Sequence, residues 1–288
     1  EFNNKTLIVA VKMWTKNREQ AIKIYGDISE WNTTNVTSMH SLFSDNMDFN
    51  DDISRWNTSN VVDMAYMFKY AVKFNQDISE WNTGNVTNMQ YMFHRAINFN
   101  QDISKWNTIN VTNMEYMFYY ATSFNQDIGK WNTINVINMQ NMFDSAINFN
   151  QDISKWNTSN VINMSSMFCN SKSFNQDISC WNTINVCDMT CMFYHAINFN
   201  QDISEWNTSK LEQNKYQICD TVLKKRLRDE SCFDDDAMNK LFPYKRRKKF
   251  LKFLVESGYI PFNKICLSNS YHKIFSLEDI NRIIMSYV

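Results

Sequence analysis

The chain has 288 residues, and four glycines and two prolines are too few for collagen, flexible linkers or a turn-rich sandwich. No apolar run approaches the roughly 18 residues of a membrane span, and the first residues show no secretory pattern of charge, apolar core and small-residue cleavage site. Net charge is −1 but uneven: residues 1–209 hold 13 Lys/Arg and 20 Asp/Glu, whereas residues 210–288 hold 16 and 10, which suggests two modules with different partners.

In chain order, residues 1–25 come first, as a helical N-terminal cap. Residues 4–25 read as an amphipathic helix through Leu7, Val11, Trp14, Ala21 and Ile22. Tryptophan then sets a ruler. Trp31, Trp56, Trp81, Trp106, Trp131, Trp156, Trp181 and Trp206 are each 25 residues apart, the mark of a repeat array. Residues 26–211 are accordingly read as about eight repeats. Within the unit around Trp106, Phe99, Ile103, Trp106, Val111, Met114, Met117, Phe118 and Ala121 are its apolar positions. Val111 to Ala121 steps by three and four, which predicts a short helix with Asn110 as N-cap. The stretch "QDISKW" predicts a short strand, bent before the tryptophan.

Such a unit cannot bury its own apolar side, so the coils must stack like on like. A rise near the strand spacing of about 4.8 Å puts equivalent side chains over one another. At the far end Leu211 takes the valine place but Asn214 replaces the methionine, and the repeat stops. Residues 212–288 read as a basic helical module that opens with a helix closing the stack. Its stretch 243–258, "PYKRRKKFLKFLVESG", is punctuated by Pro and Gly, and "SLEDINRIIMSYV" starts on a Ser cap. Lys245, Arg246 and Arg247 open a basic run. It reads as a nuclear-import, nucleic-acid or acidic-partner contact, or as the wet side of a helix that buries Phe250, Leu251 and Leu254.

The repeated pattern "A-x-x-F-N-Q-D-I-S-x-W-N-T-x-N-V-T-x-M-x-x-M-F" resembles the BspA-like leucine-rich-repeat surface proteins. Within them it is closest to the branch of largely unknown function common in mycoplasma surface lipoproteins. The resemblance covers about residues 24–211. It implies a right-handed leucine-rich-repeat-like solenoid, a short parallel strand plus a short helix per coil, at the cell surface or secreted. It also implies protein recognition or adhesion, and it supplies no catalytic residues and no cofactor.

The recurring positions define columns. Asp27, Asp52, Asp77, Asp102, Asp127, Asp152, Asp177 and Asp202 would stack about 5 Å apart, where like charges repel. Turn N–H groups or cations must satisfy them. Asx turns are the first reading, a calcium column the second. Asn and Thr columns read as coil-to-coil bonding, with an exposed threonine column for water or ice as the alternative. The seven cysteines fall in the second half and share no repeated position, so no disulfide framework is built into the unit. Cys169, Cys180, Cys187 and Cys191 are spaced like a zinc set, but Cys180 belongs to another side of its coil. No nucleophile, phosphate loop or metalloprotease motif is present, so no enzyme is expected.

Candidate contact residues stand where the repeat varies. One row is Lys105, Lys130 and Lys155, each just before a tryptophan. The other is tyrosine: Tyr91, Tyr116 and Tyr119, with Tyr66, Tyr70, Tyr120 and Tyr194 beside them. Tyrosine near Lys and Arg is interface chemistry, and the sequence does not choose between the rows. A monomer that recognises a protein partner is the expectation. An intracellular adaptor, binding nucleic acid or an acidic partner through Lys245, Arg246 and Arg247, is the alternative.

Overall fold

The computed structural model describes residues 1–211. The predicted C-terminal module, with Lys245, Arg246 and Arg247, lies outside the described residues.

Two helices open the chain, α1 over Asn4–Lys16 and α2 over Arg18–Tyr25. Asn3 caps α1 in a capping box with Thr6. Leu7, Ala10, Val11 and Trp14 form the buried stripe of α1. The single expected helix breaks at Asn17, whose carboxamide oxygen accepts from the Gln20 N–H and so restarts the chain as α2. Of the two apolar residues expected inward from α2, Ala21 is buried but Ile22 is 46% exposed. Gly26, at φ 74°, ends α2 in a conformation only glycine adopts freely.

The helices satisfy the open start of the stack. In later coils the N–H of residue 62 or 87 donates to the carbonyl 25 residues earlier. Thr37 has no earlier coil, and its N–H donates to Asn4 Oδ1 at 2.8 Å instead. Phe2, Trp14 and Tyr25 lie against Trp31, with ring centroids 4.9–5.9 Å away.

Residues 26–211 form coils that stack in register. Isolated parallel bridges join Ser38, Asp63, Asn88, Asn113, Asn138, Asn163 and Asp188 in succession. The Val–Met–Met–Phe–Ala positions are buried, as their spacing suggests, but they are not helical. Backbone N–H groups there alternate. Those of Met64, Tyr66, Phe68 and Tyr70 donate to Asn88, Gln90, Met92 and His94 of the next coil, while those of Met67, Lys69 and Ala71 donate three residues back. A helix would keep every N–H inside the segment. Here the next coil offers carbonyls at ladder distance and takes every second donor. The cost is positive φ at two non-glycine residues in each of seven coils, such as Tyr66 and Tyr70 at 60°. Asn110 therefore caps nothing, and its side-chain amide donates to the Gly84 carbonyl of the coil before.

"QDISKW" is likewise not a strand. It is a turn in which the Trp106 N–H donates to the Ile103 carbonyl. Asp102 Oδ1 accepts from the Ser104 N–H at 2.8 Å, and every aspartate of the column makes the equivalent bond. The parallel pairing sits after the valine, in the segment whose three-and-four spacing had suggested helix.

The core is columns of like rings. Trp106, Trp131, Trp156, Trp181 and Trp206 follow one another at 6.2–6.4 Å with planes within 3°. The Phe68 column steps by 5.6–5.8 Å and the Phe74 column by 5.9–6.1 Å. Parallel rings in successive coils report the local coil-to-coil step. Over the segment after the valine, main-chain bonds hold that step near the strand spacing of about 4.8 Å. Over residues 74–86 the links run through side chains: Asn75 N–H to Asn50 Oδ1, Trp81 Nε1 to the Ile53 carbonyl, Thr83 Oγ1 to the Asn107 carbonyl. These reach farther, so the tryptophan side opens and the stack curves with its ladder side inward.

The threonine column is not a flat exposed surface. Thr33, Thr58, Thr83, Thr108, Thr133, Thr158 and Thr183 are all buried. Thr108 Oγ1 donates to the Asn132 carbonyl at 2.9 Å. Thr108→Val keeps the shape and strands that carbonyl. Chemical denaturation is expected to show a loss of about 1–3 kcal/mol, and an unchanged midpoint would remove the bond from the list of stabilising contacts.

Candidate functional site

On the ladder side, Tyr66, Tyr91 and Tyr116 stack face to face at 4.7 and 4.5 Å. His40 tilts onto Tyr66 at one end, and Tyr119 lies beside Tyr116 in the same coil. Each tyrosine is only half-buried. Burial holds the Tyr91, Tyr116 and Tyr119 phenols above their usual range, so they stay protonated and can donate.

Beside this row, three coils bring a second set together. The Lys69 ammonium lies 5.5 Å from the Tyr66 ring centre and 5.4 Å from that of Tyr70. The Arg95 guanidinium lies 5.4 Å from the Tyr70 ring centre and 4.8 Å from that of Tyr120. His94 lies beside them, 7% exposed, with Tyr70, Tyr91 and Tyr119 at 5.2, 5.3 and 4.7 Å. Burial first, then the Lys69 and Arg95 charges, push its pKa down to about 4. Neither His94 Nδ1 nor Arg95 Nε has a hydrogen-bond partner, though both atoms are buried.

Backbone strain adds to this. Tyr66, Tyr70, Tyr91, Arg95, Tyr116 and Tyr120 all hold positive φ, which costs an ordinary L-residue roughly 1–2 kcal/mol. Later coils place Asn141, Ser145, Ser166 and Asn170 at the same points, small polar residues suited to such turns. The aromatic and basic residues in the second to fourth coils are therefore not there for the backbone's sake.

The lysine row is separate. Lys105, Lys130 and Lys155 occupy the turn before the tryptophan, on the side linked through side chains. Lys105 pairs with Glu80 at 2.6 Å, and Arg55 pairs with Glu30 two coils earlier in the same column. The structure does not bring this row to the tyrosines. Lys69, Tyr70, His94, Arg95 and Tyr120 were missed as a group. Reading columns at i+25 would have aligned Tyr70 with Arg95 and Lys69 with His94, because these pairs occupy two adjacent columns.

Among the described residues, no three of His, Cys, Asp and Glu come together to hold a metal ion. Cys169 is buried, its thiol pushed up to about 12 by burial and then by Asp144, while Cys180 is exposed on another side. No described helix is long and apolar enough to cross a membrane.

Comparison with known families gives one decisive match. The model described as "Mycoplasma protein of unknown function, DUF285" fits residues 11–130 and again 122–227. The chain belongs to this family. The two overlapping matches follow the repeat, and this DUF285 chain is thus a mycoplasma-type repeat protein. No curated protein matches it. A solved structure titled "Crystal structure of TLR13-ssRNA13 complex" is similar at 8% identity and a TM-score of 0.22, over 62% of this chain and 35% of that one.

Proposed function

We propose that this chain is a non-enzymatic protein-recognition scaffold of the BspA-like kind. Its coils would form a right-handed leucine-rich-repeat-like solenoid serving as a surface adhesin or interaction platform. The observation that carries the reading is the tyrosine row with its adjacent cations, set on the inner side of the stack at positions where the backbone would be better served by Asn or Ser. Tyrosine and arginine are over-represented among residues that dominate binding energy. Membership of a repeat family supports a scaffold role. The reading assigns the lysine row a secondary part, because Lys105 is already paired.

The test is affinity capture with the full chain from lysates of cells and of their hosts, followed by identification of retained proteins. A discrete protein held by the wild type and lost with Tyr91→Ser/Tyr116→Ser, while the melting curve is kept, is the expected result. Retention of nothing beyond a heat-denatured control overturns it. So does retention that ignores both the tyrosine and the lysine rows.

A further inference from the structure

We propose that the inner corner built by Lys69, Tyr70, His94, Arg95 and Tyr120 docks an acidic segment of a protein partner, with a carboxylate seated between the Lys69 ammonium and the Arg95 guanidinium. This rests on the recognition reading above and gives it a site and a ligand chemistry.

Neither cation of the corner has an ion-pair partner among the described residues. Both cations lie 5.4 Å from the ring centre of Tyr70. The ion pairs among the described residues use Arg18, His40, Arg55, Lys73 and Lys105, not Lys69 or Arg95. The neighbouring acids are engaged elsewhere. Asp45 accepts from the Ser44 hydroxyl, Asp144 from the Ser145 hydroxyl and the Asn170 amide, and Glu115 from the Asn138 amide. A buried His94 Nδ1 and Arg95 Nε without partners show that the chain alone does not complete the polar contacts of this corner. A carboxylate is the natural complement of a guanidinium and an ammonium framed by phenol donors.

Nucleic acid fits less well. The inner faces of Tyr66, Tyr91 and Tyr116 are spent on one another at 4.7 and 4.5 Å, His40 lies against the first ring, and Asn141 takes the next place in the column after Tyr116, so the row offers no open aromatic face of its own to stack a base. Residues 1–211 also hold 14 Lys/Arg against 20 Asp/Glu, so a phosphate backbone leaving the corner would meet like charge. A short acidic segment needs only the corner.

The experiment uses the full chain and a short labelled peptide of alternating Glu and Ser, with its Gln–Ser counterpart and a thymidine oligonucleotide as controls, read by fluorescence anisotropy. The Glu peptide is expected to bind and the Gln peptide not. Lys69→Gln/Arg95→Asn should weaken binding by about tenfold or more without shifting the melting midpoint. Lys245→Gln/Arg246→Gln/Arg247→Gln should leave it unchanged. Lys69→Gln alone, at a half-buried side chain, serves if the Arg95 variant unfolds. Failure of the Glu peptide to bind, binding indifferent to Lys69, or tighter binding of the oligonucleotide through the same residues each overturns the proposal. If partner capture survives while the Glu peptide fails, only the acidic-segment assignment falls. If capture itself fails, the recognition reading falls with it.

Discussion

Trp106→Ala is expected to cost about 3–5 kcal/mol, measured by denaturant unfolding of the full chain. Trp106 is buried, and its ring lies 6.4 Å from that of Trp131 and 6.1 Å from that of Phe93. The substitution removes that packing from two coils at once, because the column leaves no side chain free to fill the gap. It also takes away the indole N–H that donates to the Ile78 carbonyl at 3.0 Å, inside the core. An unpaired buried carbonyl adds to the cavity term. Since each coil contacts only its neighbours, the damage should divide the array. Unfolding is then expected to broaden or split, with the coils on either side of the lesion losing cooperativity. Lys130→Ala, in the turn before the next tryptophan, should change stability little. Equal midpoints for the two variants would mean that the indole column does not hold the stack together.

The second large effect is acid sensitivity from His94. Its folded pKa is lowered to about 4 from 6.5. Above 6.5 both folded and unfolded forms are neutral, and the residue contributes no pH dependence. Between 6.5 and 4 the unfolded chain binds a proton that the folded chain refuses, so stability falls as pH falls. The loss saturates below the folded value, at on the order of 3 kcal/mol. His94→Tyr is the informative variant, because Tyr119 and Tyr194 stand at the equivalent place one and four coils later. Its stability should be flatter through this window. The aspartate column acts in a different window. Bonds from Ser29, Ser54, Ser104, Ser154 and Ser179 hold Asp27, Asp52, Asp102, Asp152 and Asp177 below 3.8, so their contribution is lost only as pH falls through those lowered values. Comparing the two proteins cancels that term. Parallel pH profiles would mean that His94 takes up its proton as easily folded as unfolded.

Much of the unit was legible without coordinates. A 25-residue recurrence of Trp, Phe, Ile and Met demands like-on-like stacking, because no single unit can bury that much ring. The aspartate turns were legible too: a carboxylate two residues before a free N–H has a local partner wherever the chain bends. The tyrosines were singled out as variable positions beside apolar ones, and three of them stand in one row. The conformation of that segment was misread. Spacing by three and four marks one buried side of a helix, but it marks one buried side of a train of tight turns equally well. What separates the two is where the N–H groups go, and the acceptors that decide it belong to the next coil.

Sequence alone thus determined the period, the inward residues and the existence of columns, since these follow from composition repeated at a fixed interval. Tertiary structure alone decided the left-handed turns, the inward curvature and the meeting of Lys69, His94 and Arg95, because each depends on atoms 24 to 26 residues away. It also decided that Gly129, where neighbouring coils carry Ser104 and Ser154, has no room for a side chain: an added Cβ would collide with the Asp152 carbonyl of the next coil. A stack fixes coil-to-coil distance by main-chain bonds on one side and side-chain bonds on the other, and the difference between those two lengths is written in no single repeat.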